Sequence, residues 1–326
     1  MINLVYNEMV KLTGKRRLLV VTFIIAVLII LFTYAQYQEA KEDLKRFGDL
    51  DWRAALQQQI ENWEGRMDSG RISDERREQW EIRIAQLRYY LEHDINPAEP
   101  GAPTFVRQFV ENGTTLLLPL MMMVVAADIV SSEYSGGTVK VLLTRSVRRW
   151  RILLSKYIAL VLSVSFIIAM FALLSTVISG TVFGFQGWDS PVLTGFSVQE
   201  GLLDTSSVEM IPQWQYILME FGLAWFISLV VATLSFMLSV LVRSTAAGMG
   251  IMLACLIAGM ILSEMVESWQ TSKYLFMVNL NLIGYLEGAD PPIAGMTLGF
   301  SFLVLLVWGA AGLIVSFWSF TRRDVY

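Results

Sequence analysis

Six apolar runs punctuate the chain, at residues 18–35, 114–130, 158–183, 216–242, 246–265 and 296–320. A helix needs about 20 such residues to cross a bilayer, where no water satisfies backbone N–H and C=O groups. All six read as transmembrane helices, and the fold class is an all-α integral membrane protein. The second run is short, contains Pro119 and ends at Asp128. It is kept as a span because neighbouring helices can satisfy the carbonyl that a proline frees. The third, fourth and sixth exceed a minimal span and should tilt or project from the lipid.

The polar stretches between the runs carry their own periodicity. Within residues 36–112, Leu56, Ile60, Trp63 and Met67 step by four, three and four, as do Trp80, Ile84, Leu87 and Leu91. That spacing puts each set on one helix face. Gly70 supplies a stop, Ser73 an N-cap, and Asp74 and Glu75 an acidic first turn. An α-helical hairpin between the first and second spans is the economical reading. At the N-terminus, residues 1–14 place Ile2, Val5, Met9 and Leu12 on one face and Asn3, Asn7, Glu8 and Lys11 on the other. Such a helix lies in the headgroup plane. Residues 184–213 and 266–295 are loops on the hairpin's side.

Composition agrees with this pattern: of 326 residues 55% are hydrophobic and 17% charged, against about 25% charged in soluble domains. Charge then orients the chain. With the N-terminus inside, the inner segments hold 13 basic residues and four acids, net +9, leaving −13 outside of a total of −4. The excess sits in short loops, where the positive-inside rule applies, so both termini are expected in the cytoplasm and the hairpin outside. The first run follows Lys15, Arg16 and Arg17 without a small-residue cleavage site after it, and reads as a retained signal anchor.

Candidate chemistry is sparse. One cysteine, Cys255, and one histidine, His93, exclude a disulfide framework or a Cys/His metal cluster within one chain. Gly14-Lys15 has Met9 where a phosphate-binding loop needs glycine, so the chain is expected to lack its own ATPase site, cofactor or metal. Acids near the membrane are costly and often functional. Asp128 can meet Lys140 or Arg145, while Glu220, Glu264 and Glu267 either line a cavity for cationic amphiphiles or snorkel to headgroups. Met121, Met122 and Met123, with Met249, Met252 and Met260, offer either an adaptable ligand wall or ordinary packing. Met121, Met122, Glu220 and Glu264 are thus the candidate substrate-cavity residues.

The inner segment 131–156 carries six of the 25 basic residues, and Gly136-Gly137 lets the chain reverse after the second span. Val139, Leu142 and Leu143 then share a face among basic residues, suited to a groove on a soluble partner. The run "EYSGGTVKVLLTRSVRRWRILLSK" resembles the segment after the second membrane helix of ABC-2 type transporter permeases. That family shows a glutamate, Gly-Thr, a Leu-Leu pair, Pro-x-x-Arg and a lysine. These fall here at Glu133, Gly137, Thr138, Leu142, Leu143, Arg148 and Lys156, with Ser146 near the place of the missing proline. "NE-x-x-K" at Asn7, Glu8 and Lys11 and "FTRRD" at Phe320 to Asp324 agree with the same layout.

The resemblance implies a permease with a type V exporter-like fold, in a bacterial plasma membrane. Its partners would be two copies of a separate ABC ATPase, which hold ATP and Mg, a second permease chain, and lipids. Nucleic acid has no place in it. The family's substrates are amphipathic or lipid-like. Two other classes stay open: an accessory sensor or assembly protein regulated by an ABC ATPase, and an ion-coupled secondary transporter.

Overall fold

A computed structural model describes residues 1–47, 51–68, 74–97, 99–137, 147–199, 202–242, 244–265, 269–289, 291–293 and 295–322. Six helical stretches are long and apolar enough to cross a membrane: Arg17–Glu42, Leu117–Tyr134, Arg149–Phe183, Gln213–Val242, Thr245–Ser263 and Leu298–Arg322. The chain is an all-α membrane protein, with two short β-ribbons as its only strands among the described residues.

Helix α1 (Ile2–Gly14) precedes α2 (Arg17–Phe47), with Arg16 between them in the left-handed region. Helices α3 (Trp52–Asp68) and α4 (Asp74–Glu92) pack on each other through buried Leu56, Ile60, Ile84 and Leu87, flanked by Trp63 and Met67. The Trp63 and Trp80 rings stack with centroids 6.2 Å apart. Because both rings stay partly exposed, Trp80→Ala should loosen the pair by only about 2 kcal/mol, below the value for a fully buried aromatic. Thermal melts of a fragment spanning residues 38–96, followed by circular dichroism, test this. A coil spectrum at every temperature would show that the pair has no stability of its own.

The second span is not one continuous helix. Helix α5 (Ala102–Thr114) is followed by α6 (Leu117–Ala126) and α7 (Asp128–Ser135). The expected 114–130 therefore begins three residues early, and the reason is Pro119. It stands in the first turn of α6, where its missing N–H costs nothing, so the chain restarts its helix just ahead of it. Helix α8 (Arg149–Phe183) in turn starts well before residue 158, so Lys156 belongs to the third span rather than to the loop.

Residues 184–213 hold strands where a plain loop was expected. β1 (Pro191–Thr194) pairs antiparallel with β4 (Glu209–Pro212), Val192 opposite Ile211, and β2 (Ser197–Gln199) pairs with β3 (Leu202–Asp204). The ribbon joins hairpin to bundle. Leu193 and Phe196 pack with Tyr89, Tyr90 and Ile95, while Val192 packs with Tyr216 and Leu286.

Helix α9 (Gln213–Val242) is the hub, meeting α5, α6, α7, α8, α10 (Thr245–Met265) and α12 (Leu298–Arg322). Its buried Ala224, Ser228, Ala232, Ser235 and Ser239 permit close approach, and a Cβ on Gly312 of α12 would lie 3.1 Å from Leu234. Between α10 and α12 run two 3₁₀ turns and the single-turn α11 (Gly284–Glu287).

Candidate functional site

A buried set of charged side chains lies at the end of the bundle away from the hairpin. Lys156, 1% exposed, donates from Nζ to Glu8 Oε2 (2.8 Å), Glu133 Oε1 (2.7 Å) and the Ile129 carbonyl (3.3 Å). An ammonium has three donors, and all three are used. Lys11 donates to the same two carboxylates, at 2.9 Å to Glu8 Oε1 and 3.1 Å to Glu133 Oε1. Two ammonium groups and two carboxylates alternate, so the set is neutral and joins α1, α7 and α8.

A second set sits beside it. Asp128 meets Lys15 Nζ at 2.8 Å and Arg17 Nη2 at 3.0 Å, and accepts from the Thr245 hydroxyl at 3.2 Å. The Ser239 hydroxyl of α9 accepts from the backbone N–H of Val130 (3.1 Å) and Ser131 (2.9 Å). Those amides open α7, where a helix lacks internal acceptors, so α9 supplies one. A cavity of about 730 Å³ adjoins both sets, bordered by Asn7 and Lys11, Ser132 and Glu133, and Val147 and Ile152.

Burial on its own would raise the Glu8 carboxyl. The ammonium groups of Lys156 and Lys11 override it and hold Glu8 below the ordinary carboxylate range. Burial would lower Lys11, but Glu8 and Glu133 hold it above its ordinary value. The contribution of Glu8 is therefore full above the ordinary carboxylate pKa and is lost as pH falls through its depressed value. That of Lys11 is full below the ordinary lysine pKa and is lost as pH rises through its raised value.

Of the residues expected to couple to a partner, the fold brings Glu133 and Lys156 into contact. Arg148 caps α8 in an extended conformation, and Gly137 has φ +68°, where a β-branched residue would be strained. Thr138, Leu142 and Leu143 lie outside the described residues, as do Lys140 and Arg145. Asp128 is held by Lys15 and Arg17. Glu8, expected on the polar face of α1, is buried with Leu12, while Ile2 of the apolar face is exposed. Periodicity grouped Glu8 with the polar face, and the sequence signal for its burial, a lysine 148 positions away, is not local.

The cavity residues fare differently. Met122 is wholly buried in the main core and Met121, partly buried, packs against it. Glu220 is fully buried on α9. Of Glu264 only the helical backbone is described.

The sequence profile of the family described as "Protein of unknown function (DUF2705)" matches residues 78–326. The chain belongs to this family. The match opens inside α4, so Glu133 and Lys156 fall within it and Glu8 and Lys11 before it. The chain is also similar to the uncharacterized protein YhcI of Bacillus subtilis, 26% identical over 328 residues, covering 100% of this chain and 99% of the relative. A further relative is the uncharacterized membrane protein YdbK of the same organism, 24% identical over 212 residues, 64% of this chain and 78% of the relative.

Proposed function

We propose that this chain is the permease subunit of an ATP-driven ABC exporter, moving an amphipathic or lipid-like substrate across a bacterial plasma membrane. Two copies of a separate ATPase and a second permease chain complete the complex. The observation that carries the reading is the Lys156 cluster. It ties the amphipathic α1, the end of the second span and the start of the third into one unit, flanking the segment 138–146. A push on that segment would move α1, α7 and α8 together, a rigid-body change suited to two alternating states. The resemblance of residues 133–156 to the coupling segment of ABC-2 permeases supplies the partner.

Reconstitution with the ATPase encoded nearest the gene tests this. Leu142→Asp should leave the chain inserted yet cut ATPase co-purification, or substrate-stimulated hydrolysis, by about 10-fold or more. Glu133→Ala should reduce stimulation while sparing binding, because Glu133 faces Lys156 and Lys11 inside the chain. Full binding and stimulation in both variants would overturn the exporter reading.

Topology is tested separately. In a Cys255→Ala background, a cysteine at Glu61 should react with an impermeant reagent from outside, and one at Arg148 should not. The reverse pattern would invert every loop.

A further inference from the structure

At the hairpin's end of the bundle, three carboxylates and two guanidinium groups are gathered where α4, α5, α9 and α11 meet. Glu220 is 0% exposed, and neither of its oxygens has a hydrogen-bond partner among the described residues. Its charged neighbours are Glu111, Arg107 and Glu287. Arg107 lies 3.6 Å from Glu111, donates to the Pro97 carbonyl at 2.7 Å and rests 6.0 Å from the Tyr216 ring. Arg83 and Tyr90 of α4 and the Tyr216 hydroxyl of α9 are the other titratable groups among the described residues, the ribbon strand β1 contributing none. No group of acids among the described residues has the geometry to hold a metal ion.

The hairpin is fastened at this same place. Gln86 of α4, itself buried, donates from Nε2 to the carbonyls of Glu287 (3.0 Å) and Gly288 (3.1 Å). A cavity of about 310 Å³ opens along the seam, with Arg83, Gln86 and Glu287 on its walls. Whatever charge Glu287 carries is therefore felt where α4 meets the bundle.

We propose that Glu111, Glu220 and Glu287 form a proton-binding site, and that its occupancy sets how firmly the helical hairpin is held against the membrane bundle. Among the described residues, three carboxylates against two cations leave one charge without a partner, and an unpaired ionised carboxylate is among the costliest groups to bury. A proton removes that charge without needing space. Burial, and then the neighbouring Glu111, push the Glu287 carboxyl up to about 7 against the pull of Arg83 and Arg107. Burial likewise raises Glu111. The sign follows: the docked hairpin favours protonated Glu287, so docking weakens as pH rises from the ordinary carboxylate range through about 7. The site would sense the compartment that the hairpin faces, whatever the chain transports.

The test uses the full-length chain in lipid nanodiscs, Cys255→Ala, with spin labels at Gln58 on the hairpin and Thr271 on the bundle. The distance distribution should be narrow at about pH 5 and broad at about pH 9, with a midpoint near about 7. Glu287→Gln, which cannot ionise, should keep it narrow at both. If that variant fails to purify, Glu111→Gln is read instead, and its midpoint should move to lower pH because a repelling charge is gone. Infrared spectra should show a protonated-carboxyl band that weakens between about pH 5 and about pH 9, and Glu287→Gln should abolish that change. An unchanged distribution across the range, a Glu287→Gln transition matching the parent, or a band of constant intensity in the parent would each overturn the proposal.

Discussion

Replacing Lys156 with methionine should destabilise the cluster end of the bundle by about 3–5 kcal/mol, the cost of breaking a buried ion pair from one side. Glu8 and Glu133 have side chains only 11% and 12% exposed, and would keep their charge with Lys11 as the shared counter-ion left among the described residues. Lys11 is half in solvent, so it offsets little of the loss. The triple variant Glu8→Gln, Glu133→Gln, Lys156→Met should recover most of it, because neutral amides are far cheaper to bury than unpaired carboxylates. Denaturant or thermal unfolding of the purified chain in nanodiscs measures both. A single variant as stable as the parent would mean that these groups are hydrated rather than closed off.

Gly288→Val should be nearly as damaging at the opposite end, by about 3 kcal/mol or more. Gly288 has φ +70°, a region where a β-branched residue carries about 1–3 kcal/mol of strain. A Cβ there would also lie 2.3 Å from Phe196 Cβ and 3.0 Å from Gln86 Nε2, so either the ribbon or α4 must give way. Overpacking adds about 1–3 kcal/mol. Hydrogen exchange should then speed up in α4 and the 191–212 ribbon, while the amides of α9 stay protected. Uniform protection would show that the seam has room that the packing does not suggest.

Most of the bundle was legible because burial in lipid imposes long apolar runs whatever the neighbours are. The middles of all six spans could be read, as could the ends of α8, α9 and α10 at Phe183, Val242 and Met265, whereas the polar start of α8 could not. Arg149 to Tyr157 form helix although polar, since Ile152, Leu153 and Ser155 face the core and Lys156 is neutralised there. The ribbon escaped notice because each strand is three or four residues long, and Val192, Leu193 and Phe196 become core only once the hairpin and α9 close over them. Of the charged site, the residues of residues 133–156 could be picked out by order along the chain. Glu8 could not, since an acid at helical spacing beside polar residues looks solvated until its cation arrives from another helix. Glu220 was visible as a costly acid, but its isolation from every donor depends on the packing of four elements.

The Lys156 cluster also bears on how the chain is made. Glu8 leaves the ribosome 148 residues before the lysine that neutralises it. At about 5–20 residues per second, that is an interval of about 7–30 s. During it α1 has only Lys11 and the interfacial water to stabilise its carboxylate. The amphipathic helix thus cannot settle into its final seat until the third span has been inserted. A ribosome stalled before Lys156 should leave the N-terminal helix open to protease, and one stalled well beyond it should leave the same helix protected.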